Sequence, residues 1–154
     1  MSRGGPTAQQ RVRVEICVGD VASAEAAQAG GAFRVELCEH LAVGGTTPSA
    51  GAIALACRRL FIPVHVLIRP RAGDFVYSEL ELAVMRHDIE VAKSLGAAGI
   101  VMGVLTAGGT IDREQTASLA AHARPLSLTF HKAFDQVRDH LEALYTLIDR
   151  RAHV

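Results

Sequence analysis

Two cysteines, Cys17 and Cys38, stand 21 positions apart, and each closes a short strand-like segment. Neighbouring strands lie about 4.8 Å apart, so the two sulfurs can meet across one face of a sheet. Two soft thiolates form a linear or low-coordinate Cu(I) site. Without a third ligand they make a poor structural zinc site. The competing reading is a pair of small, buried, inert thiols. A second group consists of Arg69, Arg71, Asp74, His131, Lys132 and Asp135. Arg69, Arg71 and Lys132 are the kind of cations that recognise carboxylate or phosphate. His131 titrates near neutrality in its ordinary state and suits general acid or base work, with Asp74 and Asp135 as the carboxylates beside it. The competing reading is a turn held by an internal Arg–Asp pair and a histidine satisfied inside the fold. Cys57 falls on the apolar stripe of a helix and reads as core. His40, His87, His122, His140 and His153 show no metal-ligand spacing with the cysteines and read as surface residues. Gly44-Gly45 before a helix start is a weak phosphate cradle and reads better as a plain loop.

The elements that must position these groups alternate regularly. Strands are predicted over 12–18, 33–38, 64–69, 99–103 and 126–131. Helices are predicted after Asp20, from about Ser49 to Leu60, from Ser78 to Gly96, from Asp112 to about Arg124, and from near Asp139. Ser78 and Glu81 form a capping box, and Leu82, Met85, Ile89 and Ala92 line one face of the helix that follows. Five strand–helix units in a row imply a parallel sheet covered by helices. Two architectures compete: a complete doubly wound sheet and part of a (β/α)8 barrel.

Side-chain alternation separates them. Glu15 and Cys17, Arg34, Glu36 and Cys38, His65, Leu67 and Arg69, and Ser127, Thr129 and His131 each fall on one face of their strand. An open sheet covered on both faces should be apolar on both. A barrel points its second face into a shared interior, where Glu15 and Glu36 can pair with Arg34 and Arg69. This favours, within the α/β class, a partial (β/α)8 TIM barrel of five β/α units over the open sheet. Eight units of this size need roughly 220 residues, near the range of that barrel.

The chain has 154 residues, 16 Lys plus Arg and 16 Asp plus Glu, so its formal charge is zero. That balance argues against a nucleic-acid or anionic-membrane binder. No apolar run reaches the length of a membrane span. Three cysteines suit a reducing compartment, which points to the cytoplasm. Residues 1–11 carry no apolar signal region and read as a disordered leader before a single unit at 12–154.

Together these segments resemble the CutC family of copper homeostasis proteins. The resemblance rests on Val14-Glu-Ile-Cys17, Gly31-Ala-Phe-Arg-Val-Glu-Leu-Cys38, Gly44-Gly-Thr-Thr-Pro-Ser49, Ile62 to Ser78, Gly99-Ile-Val-Met-Gly-Val-Leu-Thr106 and Pro125 to Asp135. It covers about residues 12–148. It implies a TIM barrel, a cytoplasmic homo-oligomer, and Cu(I) held by Cys17 and Cys38. Two positions depart from the family pattern: Ala72 stands where the family has glycine, and Lys132 where it has arginine. Lys132 keeps a charge but not the two-pronged geometry for gripping an anion. The family pattern continues through three more strands, so the chain reads as a C-terminally truncated form. Three functions compete: copper binding, a barrel enzyme acting on a small anionic or polyhydroxylated substrate, and an inactive short form with exposed strand edges.

Overall fold

The computed structural model describes residues 12–149. The leader expected over 1–11 lies outside the described residues, as does His153. Five strands, β1 (Glu15–Val18), β2 (Arg34–Leu37), β3 (Val64–Leu67), β4 (Gly99–Met102) and β5 (Ser127–Phe130), form one sheet in the order β1-β2-β3-β4-β5. Every pairing is parallel. The order never reverses. A doubly wound sheet requires such a reversal at its switch point, so the open-sheet alternative is excluded. Sequential parallel strands, each followed by a helix, are the connectivity of the barrel.

The helices are α1 (Val21–Ala29), α2 (Ala50–Arg59), α3 (Glu79–Ser94), α4 (Arg113–Ala123) and α5 (His140–Ile148). Each begins where a side-chain oxygen can take up a free N–H of the first turn. Asp20 accepts from Ser23 N–H, Ser49 from Ala52 N–H, Asp112 from Gln115 N–H, and Asp139 from Leu141 and Glu142 N–H. At α3 the capping box is complete: Ser78 Oγ accepts from Glu81 N–H, and Glu81 accepts from Ser78 N–H. Ser78→Ala removes one acceptor and loosens the other contact. It is expected to cost about 1 kcal/mol, read as a lowered melting temperature.

The outer face of the sheet is apolar. Val35, Leu37, Val66, Ile68, Ile100 and Met102 are buried against Ile53 and Ala56 of α2, Leu82, Met85 and Ile89 of α3, and Leu119 of α4. Side chains on the inner face form only a small apolar patch, Cys38, Leu67 and Val101. Among the described residues β1 and β5 are the two edges of the sheet. Apolar side chains stand open near both: Val14 just before β1, Ile16 on it, and Leu144 and Ile148 on α5. No helix is long and apolar enough to cross a membrane among the described residues.

The strands are shorter than expected. Their ladders stop at Leu37, Leu67 and Phe130, so Cys38, Arg69 and His131 belong to the loops leaving the sheet. A 3-10 turn over Lys132–Gln136, not foreseen in the sequence, follows β5 directly.

Candidate functional site

Strand register arranges the inner face in rows. Cys17 lies beside Glu36, Glu36 beside His65, His65 beside Gly99, and Gly99 beside Ser127. Above it Leu67 lies beside Val101 and Val101 beside Thr129. The glycine in the first row answers a steric demand. A Cβ at Gly99 would stand 2.6 Å from the His65 ring, so only glycine leaves that imidazole its space.

The cysteines meet, but diagonally. Cys17 is level with Glu36, and Cys38 lies two residues further along β2, yet the two sulfurs are 3.4 Å apart. Cys38 is buried and donates to Val18 O at 3.3 Å; Cys17, on the edge strand, is exposed. Burial pushes both thiols up from their ordinary range, and the neighbouring carboxylate of Glu36 pushes the same way. Both are therefore protonated at neutral pH, and a metal ion must displace their protons.

Glu36 completes the cluster. One ligand atom from each of Cys17, Glu36 and Cys38 lies within 4.8 Å of the others. The expected pairing of Glu36 with an arginine does not form. Arg34 is taken by Glu15 in an ion pair. Arg69 lies in the loop beyond β3, four residues past His65, the register partner of Glu36, and its guanidinium is bound to loop carbonyls. Burial and then the nearby Glu15 raise the Glu36 carboxyl; Lys132 and Arg34 oppose this more weakly. The same-face spacing of Glu36 and Cys38 was readable in the sequence. What concealed Glu36 as a candidate ligand was the apparent availability of arginine partners.

Arg69 serves the loops instead. The residue is 3% exposed. It donates to Val43 O at 3.2 Å, Gly45 O at 2.6 Å and Gly73 O at 2.8 Å, and lies over the Phe75 ring. It thus ties the β2–α2 loop to the β3–α3 loop. Lys132 reaches the same loop from the 3-10 turn after β5, donating to Gly44 O at 2.7 Å. Gly44 and Gly45 both have positive φ, and a Cβ on Gly45 would meet Leu67 at 2.8 Å. The Gly44-Gly45 pair is therefore a loop whose carbonyls face cations, which is the opposite of a phosphate cradle.

His131 departs from its expected titration. Burial, and then the Arg69 cation, push its imidazole down to about 4, so it is neutral at pH 7. Its Nδ1 accepts from Ala133 N–H at 3.2 Å and caps the 3-10 turn. The proton of the neutral ring therefore resides on Nε2. That atom is buried and has no hydrogen-bond partner among the described residues. The ring lies against Phe75 and Phe130, and a Cβ on Gly103 would stand 2.6 Å from its Nδ1.

The rest of the second group does not converge. Arg71 pairs with Glu81 and with Asp74 at 3.0 Å, fastening the β3–α3 loop to the start of α3. Asp74 also accepts from Val76 N–H. Asp135 is exposed on the 3-10 turn. A cavity of about 320 Å³ opens beside the cysteines, lined by Cys17, Glu36, Thr129, His131 and Lys132 together with apolar and glycine residues. Of the six residues in the second group, only His131 and Lys132 line it. Cys57 is half-buried and packs against the outer core, as its helical position suggested.

A family model, the CutC family, matches residues 12–151. Over 135 residues the chain is 56% identical to the family protein CutC of Chromobacterium violaceum, a match covering 88% of this chain and 55% of that one. Over 135 residues it is 53% identical to the human copper homeostasis protein cutC homolog, covering 88% and 50%. Among solved structures, CutC from Streptococcus agalactiae superposes with a TM-score of 0.84 at 39% identity, covering 89% of this chain and 68% of that one. The chain spans about half the length of the curated relatives it matches. It belongs to the CutC family.

Proposed function

We propose that this CutC family member is a copper homeostasis protein that binds Cu(I) through Cys17 and Cys38. The observation that carries the reading is the pair of sulfurs 3.4 Å apart, one buried and one open to the cavity. Soft sulfur donors favour Cu(I) over hard ions. The donor set therefore suits the metal that the names of the relatives attach to them. Copper is the cargo. Cys38 anchors it in the fold, and Cys17 on the edge strand is the ligand through which it enters and leaves. Sparse cysteines and the charge balance support a cytoplasmic protein that does not bind nucleic acid, and the family resemblance supports a homo-oligomer for the full-length form. Anaerobic competition with a Cu(I) chelator tests the binding. Cys17→Ser and Cys38→Ser are each expected to lower affinity by at least roughly 100-fold, since two-sulfur coordination cannot survive loss of either donor. Unchanged affinity in both would overturn the reading.

One observation favours a second reading, an enzyme acting on a small anionic or polyhydroxylated substrate. The cavity beside the cysteines is lined by His131, whose Nε2–H is buried without a partner among the described residues, and by Lys132. A concave site with a few converging polar groups is where a small ligand binds. The barrel also places such sites at the strand C-termini. In that reading His131 and Lys132 hold the ligand, and Arg69, Arg71, Asp74 and Asp135 shape the rim. Stabilisation against heat by sugar phosphates or small carboxylic acids, lost in Lys132→Ala, would support it. The absence of any such stabilisation would sink it.

A further inference from the structure

We propose that Glu36 is a third metal ligand, and that Cys17, Glu36 and Cys38 together form a site for a borderline divalent ion of the Zn²⁺ class, with one coordination position open to the cavity. The inference rests on the reading of Cys17 and Cys38 as metal ligands and goes beyond it in ion, ligand count and geometry.

Sulfur separation is the first ground. At a metal–sulfur distance of about 2.3 Å, a linear two-sulfur ion needs sulfurs roughly 4.6 Å apart, whereas a tetrahedral ion needs roughly 3.8 Å. The observed 3.4 Å lies closer to the tetrahedral edge. Digonal coordination requires the sulfurs to spread by about 1 Å, which the exposed Cys17 can supply; tetrahedral coordination needs little movement. A bent pair of sulfurs leaves room for further donors, and Glu36 is the donor within reach.

The state of Glu36 is the second ground. It is half-buried on the inner face, yet it makes no hydrogen bond or close ion pair among the described residues, and Arg34 is occupied by Glu15. A half-buried carboxyl group without a partner has lost part of its hydration at a cost in free energy, and a cation between it and the two thiolates offsets that cost. Two thiolates and a carboxylate also carry three negative charges, which a divalent ion offsets better than a monovalent one.

Accessibility is the third. Cys17 and Glu36 both line the cavity of about 320 Å³, whereas Cys38 closes the site from behind. Three protein ligands with the fourth position facing a cavity is the arrangement of catalytic zinc, and all-protein tetrahedral closure is that of structural zinc. The open position here would take water or an anionic group, and Lys132 lines the same space.

Competitive titration of the 154-residue chain with Zn²⁺ and, anaerobically, with Cu(I) tests this, using Glu36→Gln and Cys17→Ser alongside the unaltered protein. Glutamine preserves the size of the side chain, and unchanged melting of the metal-free variant verifies its fold. Glu36→Gln is expected to weaken Zn²⁺ by roughly 100-fold, at least the cost of losing a supporting residue around a metal, and to leave Cu(I) binding nearly intact. Co²⁺ bound as a spectroscopic stand-in should lose its four-coordinate visible spectrum in the same variant. Equal Zn²⁺ affinity with and without Glu36, or equal loss for both ions, would overturn the inference while leaving the Cu(I) reading in place. If Cys17→Ser affects neither ion, this inference falls, and if Cys38→Ser is also without effect the Cu(I) reading falls with it.

Discussion

Arg69→Met is expected to destabilise the fold by about 3–5 kcal/mol, the largest effect of any single substitution in the site. The wild-type guanidinium is buried and satisfies three backbone carbonyls, those of Val43, Gly45 and Gly73. Methionine fills much of the volume over Phe75 but donates nothing. Each carbonyl left without a partner costs about 1–3 kcal/mol unless water reaches it. For a chain of this size the loss corresponds to a fall in melting temperature of roughly 10 °C or more. Arg69→Lys is expected to recover only part, because a single ammonium cannot reach carbonyls on two loops at once. The proposed copper binding should weaken as well: a Cβ on Gly45 would stand 3.6 Å from Cys38 Sγ, so this loop runs beside the cysteine and its loosening frees that side chain. Thermal melts of the two variants check the first effect, and chelator competition the second. A shift below about 1 kcal/mol for Arg69→Met would refute the assignment of Arg69 as the residue that positions these loops.

The second large effect concerns acid. His131 is pushed down to about 4 in the folded protein, by burial first and the Arg69 cation second, whereas an unfolded chain returns it to about 6.5. As pH falls below 6.5 the unfolded state binds a proton that the folded state refuses, so stability declines. The decline runs from about 6.5 to about 4 and levels off once the folded ring also protonates; over that interval it amounts to at most about 3 kcal/mol. His65, also pushed down by burial, acts in the same direction. Glu36 and Asp88, whose carboxyls are raised by burial, act in the opposite one, since the folded state holds their protons more tightly. His131→Gln separates the contributions. The difference in unfolding free energy between wild type and variant should shrink steadily from pH 7 to pH 4.5 in urea titrations. Parallel curves over that range would show that His131 is not buried in its neutral form. The same titration shift bears on the proposed enzyme reading: a neutral ring with its proton on Nε2 has a hydrogen bond to donate at pH 7 and is a weak base.

Much of this arrangement was legible in the sequence. Alternation along the strands placed Cys17 and Cys38 on the face away from the helices, and the structure brings their sulfurs together. Ser78, Glu81 and the Leu82–Met85–Ile89 spacing located α3 and its start. The same alternation ranked Glu36 with the arginines and so concealed it. Strand periodicity reports which face a residue occupies, but not which residue of the neighbouring strand lies beside it. That depends on register, and register put Glu36 beside Cys17 and His65 and left Arg69 in the loop beyond β3, four residues past His65. The Pro70–Asp74 segment was equally open to two readings, and the ion pairs of Arg71 with Asp74 and Glu81 make it a fastening for the loop.

By itself, then, the sequence determined the alternating elements, the helix caps, the polar inner face and the family, because each follows from local spacing and residue type. The tertiary structure alone decided which polar groups share a site. Glu36 joins the cysteines, Arg69 is consumed by carbonyls, and His131 loses its charge, since burial and the distance to a partner across the sheet are properties of packed strands and loops, and no stretch of sequence contains them.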